Sequence, residues 1–205
     1  MEQSGTDWKD RLVESARAGA RVVRLTVREP EMSPTFRAQK LLPFVTAANR
    51  LGMYVIIAFD FALPEYDNDR FDLIEDWVRE QIPIFGAMSG VMFEPIREIK
   101  QITPLRRKNV TQRLIDGLRG YRAVNLYIAT EPTYLSELDD ALATPLSGNN
   151  IVYAVHQASE VPTGRQIPIM LLSVGTGATS AVSIALTEDL SSAAAEIWRT
   201  SVACS

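Results

Sequence analysis

The sequence contains very little cysteine and histidine, and it lacks long apolar runs. Among its 205 residues there is one cysteine, Cys204, and one histidine, His156. A single cysteine excludes an internal disulfide bridge, and a single histidine excludes a metal site built from several histidines. No apolar run reaches the roughly 20 residues needed to cross a bilayer. Disulfide frameworks, multi-histidine metal centres and membrane partners are therefore not expected.

Basic residues are also too few and too scattered for a nucleic-acid partner. The chain has 21 Lys and Arg against 25 Asp and Glu, a net charge of −4, and its basic residues are dispersed apart from "LRRK" at 105–108. Phosphate tracking requires a basic stripe or face. What the chain does have is 46% hydrophobic residues, enough for one sizeable core. We expect one domain over residues 1–205.

The first ten residues, "MEQSGTDWKD", are polar and lack the basic and then apolar pattern of a secretory signal. A cytoplasmic location is therefore the default expectation. Secretion is expected instead if the sequence is a fragment of a processed precursor.

Short apolar runs alternate along the chain with amphipathic stretches. The runs are rich in Val and Ile without a period of two, which is typical of strands buried on both faces. They are 21–27, 53–59, 90–96, 123–129, 150–156 and 167–174, with a weaker run at 180–186; the helical stretches are 7–20, 35–52, 70–86, 108–120 and 134–143. Strands joined by helical crossovers lie parallel. The pattern predicts an α/β fold with six to seven parallel strands.

The first connection decides between an open dinucleotide fold and a barrel. A dinucleotide fold has a glycine-rich turn directly after its first strand, whereas "VREPEMS" at 27–33 follows that strand with acids and proline. The glycine-rich "SVGTGATS" at 173–180 comes only after the sixth run and has no lysine, so a simple connection is preferred to a phosphate cradle. The sequence therefore predicts a TIM-type (β/α) barrel with helices outside it.

Three tryptophans lie on stretches that we interpret as helical. Trp8, Trp77 and Trp198 occupy positions consistent with packing against strands, and we expect them in the core. Sugar-stacking aromatics are expected instead in loops, at Phe61, Tyr66 and Tyr134.

The order and spacing of these segments resemble the cellulase-type glycoside hydrolases of family 5 and their clan, whose fold is a (β/α)8 barrel. The strongest match is "FDLIEDWVREQIPIFGAMSGVMFEPIRE" at 71–98, where the family has a Trp helix, a short loop and a strand reading V-x-F-E-x-x-N-E-P. The likeness extends over roughly 7–175, with its other matches in "SARAGARVVRLTV", "LLPFVTAANRLGMYVIIAF", "NIVYAVH" and "QIPIMLLSVG". The resemblance implies that Arg24 and His156 are substrate-binding residues. For His156, a hydrogen bond at the strand end inside the barrel is favoured over catalysis.

The same alignment shows where the chain departs from the family. The family's Asn-Glu-Pro falls on Arg97, Glu98 and Ile99, so the acid/base glutamate is retained without its neighbours. The nucleophile glutamate falls on Ser173. Retaining hydrolysis needs two carboxyl groups about 5 to 5.5 Å apart. The family's first strand would precede residue 1, so we expect an incomplete barrel.

Other carboxylates follow predicted strands at the catalytic face of such a barrel. Asp60 and Glu131 are the candidates to replace the missing nucleophile beside Glu98. Glu94 lies four residues before Glu98. For Glu94, the role of a buried acid paired with Arg24 is favoured over a catalytic role. A Mg²⁺ or Ca²⁺ site with carboxylate ligands from Asp60, Glu98 and Glu131 is a weaker alternative. No cofactor is expected.

Two functions remain open from the sequence. The favoured one is a glycosidase-like barrel that has lost catalysis at Ser173 and serves a structural, assembly or glycan-binding role. The alternative is an active hydrolase of β-glucan-type polysaccharides with Glu98 as acid/base. Carbohydrate is the expected ligand in either case. Open sheet edges would also favour a homo-oligomer or larger assembly.

Overall fold

The structure, a computed structural model, describes residues 8–28, 33–60, 68–96, 103–129, 143–155, 169–171, 182–185 and 194–198. The helices are α1 (Trp8–Arg17), α2 (Pro34–Phe36), α3 (Leu42–Arg50), α4 (Asn68–Phe85) and α5 (Pro104–Gly120), with a π-helical turn (Arg37–Leu41) between α2 and α3. The strands are β1 (Val22–Arg28), β2 (Tyr54–Asp60), β3 (Val91–Glu94), β4 (Leu126–Ala129), β5 (Ile151–Val155), β6 (Ile169–Leu171), β7 (Val182–Ala185) and β8 (Ala194–Trp198).

Local sequence explains where two of the helices begin. The Ser33 hydroxyl accepts a hydrogen bond from the backbone N–H of Phe36, and Thr103 does the same for Arg106. In both cases a proline follows the capping residue, where its missing N–H costs nothing. The π-helical turn precedes Pro43, which cannot donate the next intrahelical bond, and the N–H of Leu42 reaches back to Arg37 instead.

All eight described strands form one sheet in the order β6-β5-β4-β3-β2-β1-β8-β7. Strands β1 to β6 pair in parallel with their neighbours in chain order. Strand β8 pairs antiparallel with β1, and β7 pairs antiparallel with β8. Among the described residues β6 and β7 end the sheet without pairing with each other. The predicted incomplete barrel with six parallel strands and outer helices is therefore confirmed.

The two last strands differ from the sequence prediction. The weak run at 180–186 does contain a strand, but β7 is antiparallel and does not extend the parallel set. Trp198 was predicted on a helix, and this is wrong, because it ends strand β8. The alanine-rich "SSAAAEIWR" has helical propensity, which is overridden here by pairing with the edge of β1. The helix predicted at 134–143 falls mostly outside the described residues.

The main core lies between the sheet and the helices. Odd-numbered residues of β1 and β2, such as Val23, Leu25 and Phe59, are fully buried in it. Trp77 of α4 is 7% exposed and meets the Phe59 ring edge-on at a centroid distance of 4.3 Å. Trp8 of α1 packs against Phe44 of α3 with centroids 5.4 Å apart. The expected core role of Trp77 is confirmed, whereas Trp8 is only partly buried and packs against the core from its edge.

One buried amide connects α4, β3 and β4. The Nδ2 group of Asn125 donates to the backbone carbonyls of Phe85, Met88 and Val91, each at 3.0 Å. Asn125 is 5% exposed and directly precedes β4. Its side chain therefore holds the end of α4 and the start of β3 against the entry of β4.

In the part of the chain that the structure describes, no helix is long and apolar enough to cross a membrane.

Candidate functional site

The inner face of the sheet, opposite the helices, carries its own small set of buried side chains. Ile56, Met92 and Ile128 form a separate apolar cluster there, with Val22 and Leu126 packed against it. Because side chains alternate along a strand, Arg24 and Thr26 of β1 share this face with Val22. Glu94 shares it with Met92 of β3. The inner face is thus apolar towards the start of the strands and polar towards their carboxyl ends.

Arg24 and Glu94 form a two-pronged ion pair on this face. The Nε of Arg24 donates to Oε2 of Glu94 at 2.6 Å, and Nη2 donates to Oε1 at 2.7 Å. The residues are 1% and 0% exposed, so the charges are withdrawn from water and compensated by each other. Nη1 also lies 3.5 Å from the Thr26 hydroxyl. The predicted pairing of Glu94 with Arg24 is confirmed.

The pair spans a strand rather than joining neighbours. Strand β2 lies between β1 and β3, so the two backbones are separated by about two strand spacings, roughly 10 Å. In the register of β2, Ala58 lies directly between Thr26 and Glu94. Ala58 carries only a methyl group, so it adds little bulk on the strand between the two partners. The bidentate contact fixes Glu94, which is the last residue of β3. Glu98 follows four residues later in the chain.

The sequence did not identify Thr26 and Ala58 as parts of this arrangement. The alternation of Val22, Arg24 and Thr26 is readable from the sequence once Arg24 is assigned to the inner face. The role of Ala58 depends on the register between three strands, which no local pattern specifies.

The other predicted site residues all follow strands of the parallel set. Asp60 is the last residue of β2. The other six lie outside the described residues, each after the end of a strand. They are Tyr66 after β2, Glu98 after β3, Glu131 and Tyr134 after β4, His156 after β5 and Ser173 after β6. Parallel strands bring their carboxyl ends to one edge, and the gathering of these residues at that edge stays a prediction. Their side-chain geometry stays a prediction.

Within the described ranges, no three His, Cys, Asp or Glu residues are grouped so that they could hold a metal ion. A groove of about 590 Å³ lies among the helices, away from the Arg24–Glu94 pair, and is lined by Trp8, Lys9, Leu12, Val13, Leu42, Pro43, Thr46, Ala47, Arg50 and Leu51.

Comparison with known proteins agrees with this architecture. No family model matches the chain. An endoglucanase of Clostridium saccharobutylicum is 25% identical over 144 residues, which is 67% of this chain and 32% of that protein. The chain thus spans about a third of the curated relative.

Solved structures of cellulases share the fold. The catalytic domain of the Thermobifida fusca endoglucanase Cel5A, in complex with cellotetraose, superposes with a TM-score of 0.64 at 16% identity, covering 83% of this chain and 61% of that one. A family 5 cellulase from an Icelandic hot spring isolate gives a TM-score of 0.61 at 19% identity, covering 77% and 52%. The predicted resemblance to family 5 cellulases is confirmed, and the chain has a cellulase-like barrel fold over somewhat more than half the length of these structures.

Proposed function

We propose that this cellulase-like barrel binds β-glucan chains without hydrolysing them. Ser173 stands where the resemblance puts the nucleophile glutamate, so the second carboxyl group of the retaining mechanism is absent from its usual place. The observation that carries the binding half of the proposal is the common edge formed by the carboxyl ends of six parallel strands. Polar groups for sugar hydroxyls come from Asp60, the last residue of β2, and from three residues that follow later strands, Glu98, Glu131 and His156.

In the proposed site Arg24 is a positioning residue, because it holds Glu94 in place. Its side chain is buried and engaged with the Glu94 carboxylate, which holds the end of β3. Tyr66 and Tyr134 follow the ends of β2 and β4 and provide aromatic faces for stacking on sugar rings.

Calorimetric titration with cellotetraose tests binding. We expect saturable binding. Tyr66→Ala and Tyr134→Ala are each expected to raise the dissociation constant about fivefold, because each removes an aromatic stacking contact that contributes about 1 kcal/mol. Tyr54→Ala is the matched control, since Tyr54 is 50% exposed at the opposite, amino-terminal end of β2. Equal loss in all three variants, or no binding by the wild-type protein, contradicts the proposal.

The second candidate function is hydrolysis with Glu98 as acid/base and Glu131 or Asp60 as its partner. It is favoured by one observation, namely that these acids follow adjacent parallel strands, β2, β3 and β4, whose carboxyl ends lie side by side. A distance of about 5 to 10 Å between the Glu98 carboxyl group and either partner would support it. Turnover that depends on Glu98 would establish it.

We also propose that residues 1–205 form one domain that self-associates. All described strands join one sheet, and β6 and β7 end that sheet among the described residues. Unpaired edges present N–H and C=O groups that a second copy can pair with.

Light scattering tests the association. We expect a mass at least twice the 22.8 kDa of the chain. Substituting proline for Ser183 of β7, which removes a backbone donor, is expected to reduce the associated fraction. The control is Ser147→Ala in an exposed connection, which keeps the backbone N–H that donates to Gln112. A monomeric wild-type protein contradicts the proposal.

A further inference from the structure

The connections that lead from the helices into strands β1 to β4 contain arginine but no acidic residue. Taken with the last helical residues, they are 17–22, 50–54, 85–91 and 119–126. We call these four segments the amino-terminal face, because they lie at the edge of the sheet where the parallel strands begin. Their charged residues are Arg17, Arg21, Arg50, Arg119 and Arg122. The chain as a whole has a net charge of −4, so this face is positive on an acidic protein.

Helix dipoles account for some of these cations but not for all. Arg17, Arg50 and Arg119 lie in the last turns of α1, α3 and α5, where a positive side chain is favourable. Arg119 is also engaged structurally, because its guanidinium donates to backbone carbonyl groups of the adjoining loops. Arg21 and Arg122 lie beyond the helix ends, and neither reason applies to them.

Three of the arginines on this face are exposed and carry uncompensated charge. Within the described ranges, Arg21, Arg50 and Arg122 form neither an ion pair nor a side-chain hydrogen bond. Cations that share a surface without a carboxylate among them raise its electrostatic potential and attract anions. The amino-terminal face therefore suits a negatively charged ligand.

Exposed apolar side chains lie among these cations. Tyr54, Tyr121 and Val124 are 50%, 52% and 66% exposed, whereas most large apolar residues of the described ranges are buried. The backbone N–H of Tyr54 donates to the carbonyl oxygen of Arg21 at 2.8 Å, so these two residues are neighbours on adjacent strands. Arg122 lies between Tyr121 and Val124 in the sequence. A cation and an apolar surface thus occur side by side at two places on the face.

The residue types indicate which kind of anion fits. Arginine and tyrosine are enriched at protein interfaces, whereas lysine is depleted there, and the amino-terminal face has no lysine. A guanidinium group also matches a carboxylate with two parallel hydrogen bonds, and arginine clusters recognise acidic motifs in this way. These features favour carboxylates carried by a protein over other anions.

We propose that the amino-terminal face docks an acidic segment of a protein partner. Carboxylates of that segment bind Arg21 and Arg122, and an apolar or aromatic side chain beside them packs against Tyr54 or Val124. The proposal goes beyond carbohydrate binding and does not depend on it, because the proposed glucan site lies at the opposite edge of the sheet.

Fluorescence anisotropy of the whole chain with a labelled random copolymer of glutamate and tyrosine tests the proposal. This probe supplies carboxylates and aromatic rings together. We expect saturable binding that added salt weakens. Arg21→Gln and Arg122→Gln are each expected to raise the dissociation constant about fivefold, because each removes charge-assisted hydrogen bonds. The control is Arg106→Gln, which removes the same charge from an exposed position in the first turn of α5, at the other edge of the sheet.

Two further variants separate paired contacts from net charge. Arg21→Lys keeps the charge but loses the forked geometry, and we expect it to bind the copolymer more weakly than the wild-type protein. Val124→Ser is expected to weaken binding of the copolymer and to leave binding of polyglutamate unchanged, because polyglutamate has no aromatic ring. All substituted positions are exposed, so the thermal unfolding midpoint is expected to stay unchanged.

Three outcomes overturn the proposal. One is an absence of saturable copolymer binding, or an equal loss of it in Arg106→Gln. Another is tighter binding of a thymidine oligonucleotide than of the copolymer, which would make the face a phosphate site. The third is a light-scattering mass that falls in Arg21→Gln without any copolymer, which would make a second copy of the chain the occupant. Cellotetraose is expected not to compete with the copolymer, so failure of either binding proposal leaves the other standing.

Discussion

Glu94→Gln is expected to destabilise the protein by about 3–5 kcal/mol, because it removes the carboxylate charge that pairs with the buried Arg24 guanidinium at 2.6 Å. The substitution preserves the shape of the side chain and one acceptor oxygen, so the loss reports the charge and not a cavity. Arg24 is 1% exposed, which leaves it no route to water without disturbing the inner face. Urea denaturation, read as the change in free energy of unfolding, measures the effect.

A surface pair provides the comparison for this result. Glu80 accepts a hydrogen bond from Arg37 at 3.2 Å and is 56% exposed. We expect Glu80→Gln to cost less than about 1 kcal/mol, since exposed ion pairs contribute little. Replacing both buried partners, with Arg24→Met and Glu94→Leu, is expected to cost less than Glu94→Gln alone. Equal effects of Glu94→Gln and Glu80→Gln would show that the inner-face pair contributes no more than a surface contact.

Asn125→Asp is expected to destabilise the protein by about 3–5 kcal/mol at neutral pH. It would put a carboxylate against the three carbonyl oxygens that now accept from the Asn125 amide, and none of them can donate to it. Only the protonated acid can donate, so the pKa of the new carboxyl group is raised in the folded state. The variant therefore keeps its stability at acidic pH, below the pKa that the new carboxyl group has in the unfolded chain. It loses that stability as the pH rises through the higher pKa of the same group in the folded protein.

The pH dependence distinguishes this effect from a general loss of packing. The matched control is Asn150→Asp, because Asn150 is exposed and donates to a single carbonyl, that of Val124. We expect that control to cost under about 1 kcal/mol, with little dependence on pH. Thermal unfolding followed from pH 3 to pH 8 measures both variants. A difference between them that stays constant with pH contradicts the assigned role of Asn125.

Much of the parallel sheet was predictable because its strands are buried on both faces. The runs at 21–27 and 53–59 correspond to β1 and β2 within one residue. The run at 123–129 was too long at its start, since the side chain of Asn125 bonds to other carbonyls just before β4 begins. That contact joins residues far apart in sequence, so no local pattern reveals it.

The candidate site was predictable in part. The pairing of Arg24 with Glu94 was predictable because burying either charge without a partner is costly. The position of Ala58 between the two partners and the antiparallel pairing of β8 with β1 both depend on strand register, and the alanine-rich sequence of β8 has the local preference of a helix. Tertiary pairing determines these features.

Incubation with cellotetraose tests the central proposal, a cellulase-like barrel that binds glucan without cleaving it, most directly. Binding and products can be followed in the same sample, by calorimetry and by chromatography of the sugars. We expect saturable binding with the tetrasaccharide intact, and no difference in products between wild type and Glu98→Gln. Release of shorter oligosaccharides by the wild-type protein, reduced about 10²- to 10⁴-fold in Glu98→Gln, would contradict the proposal and identify a working acid/base.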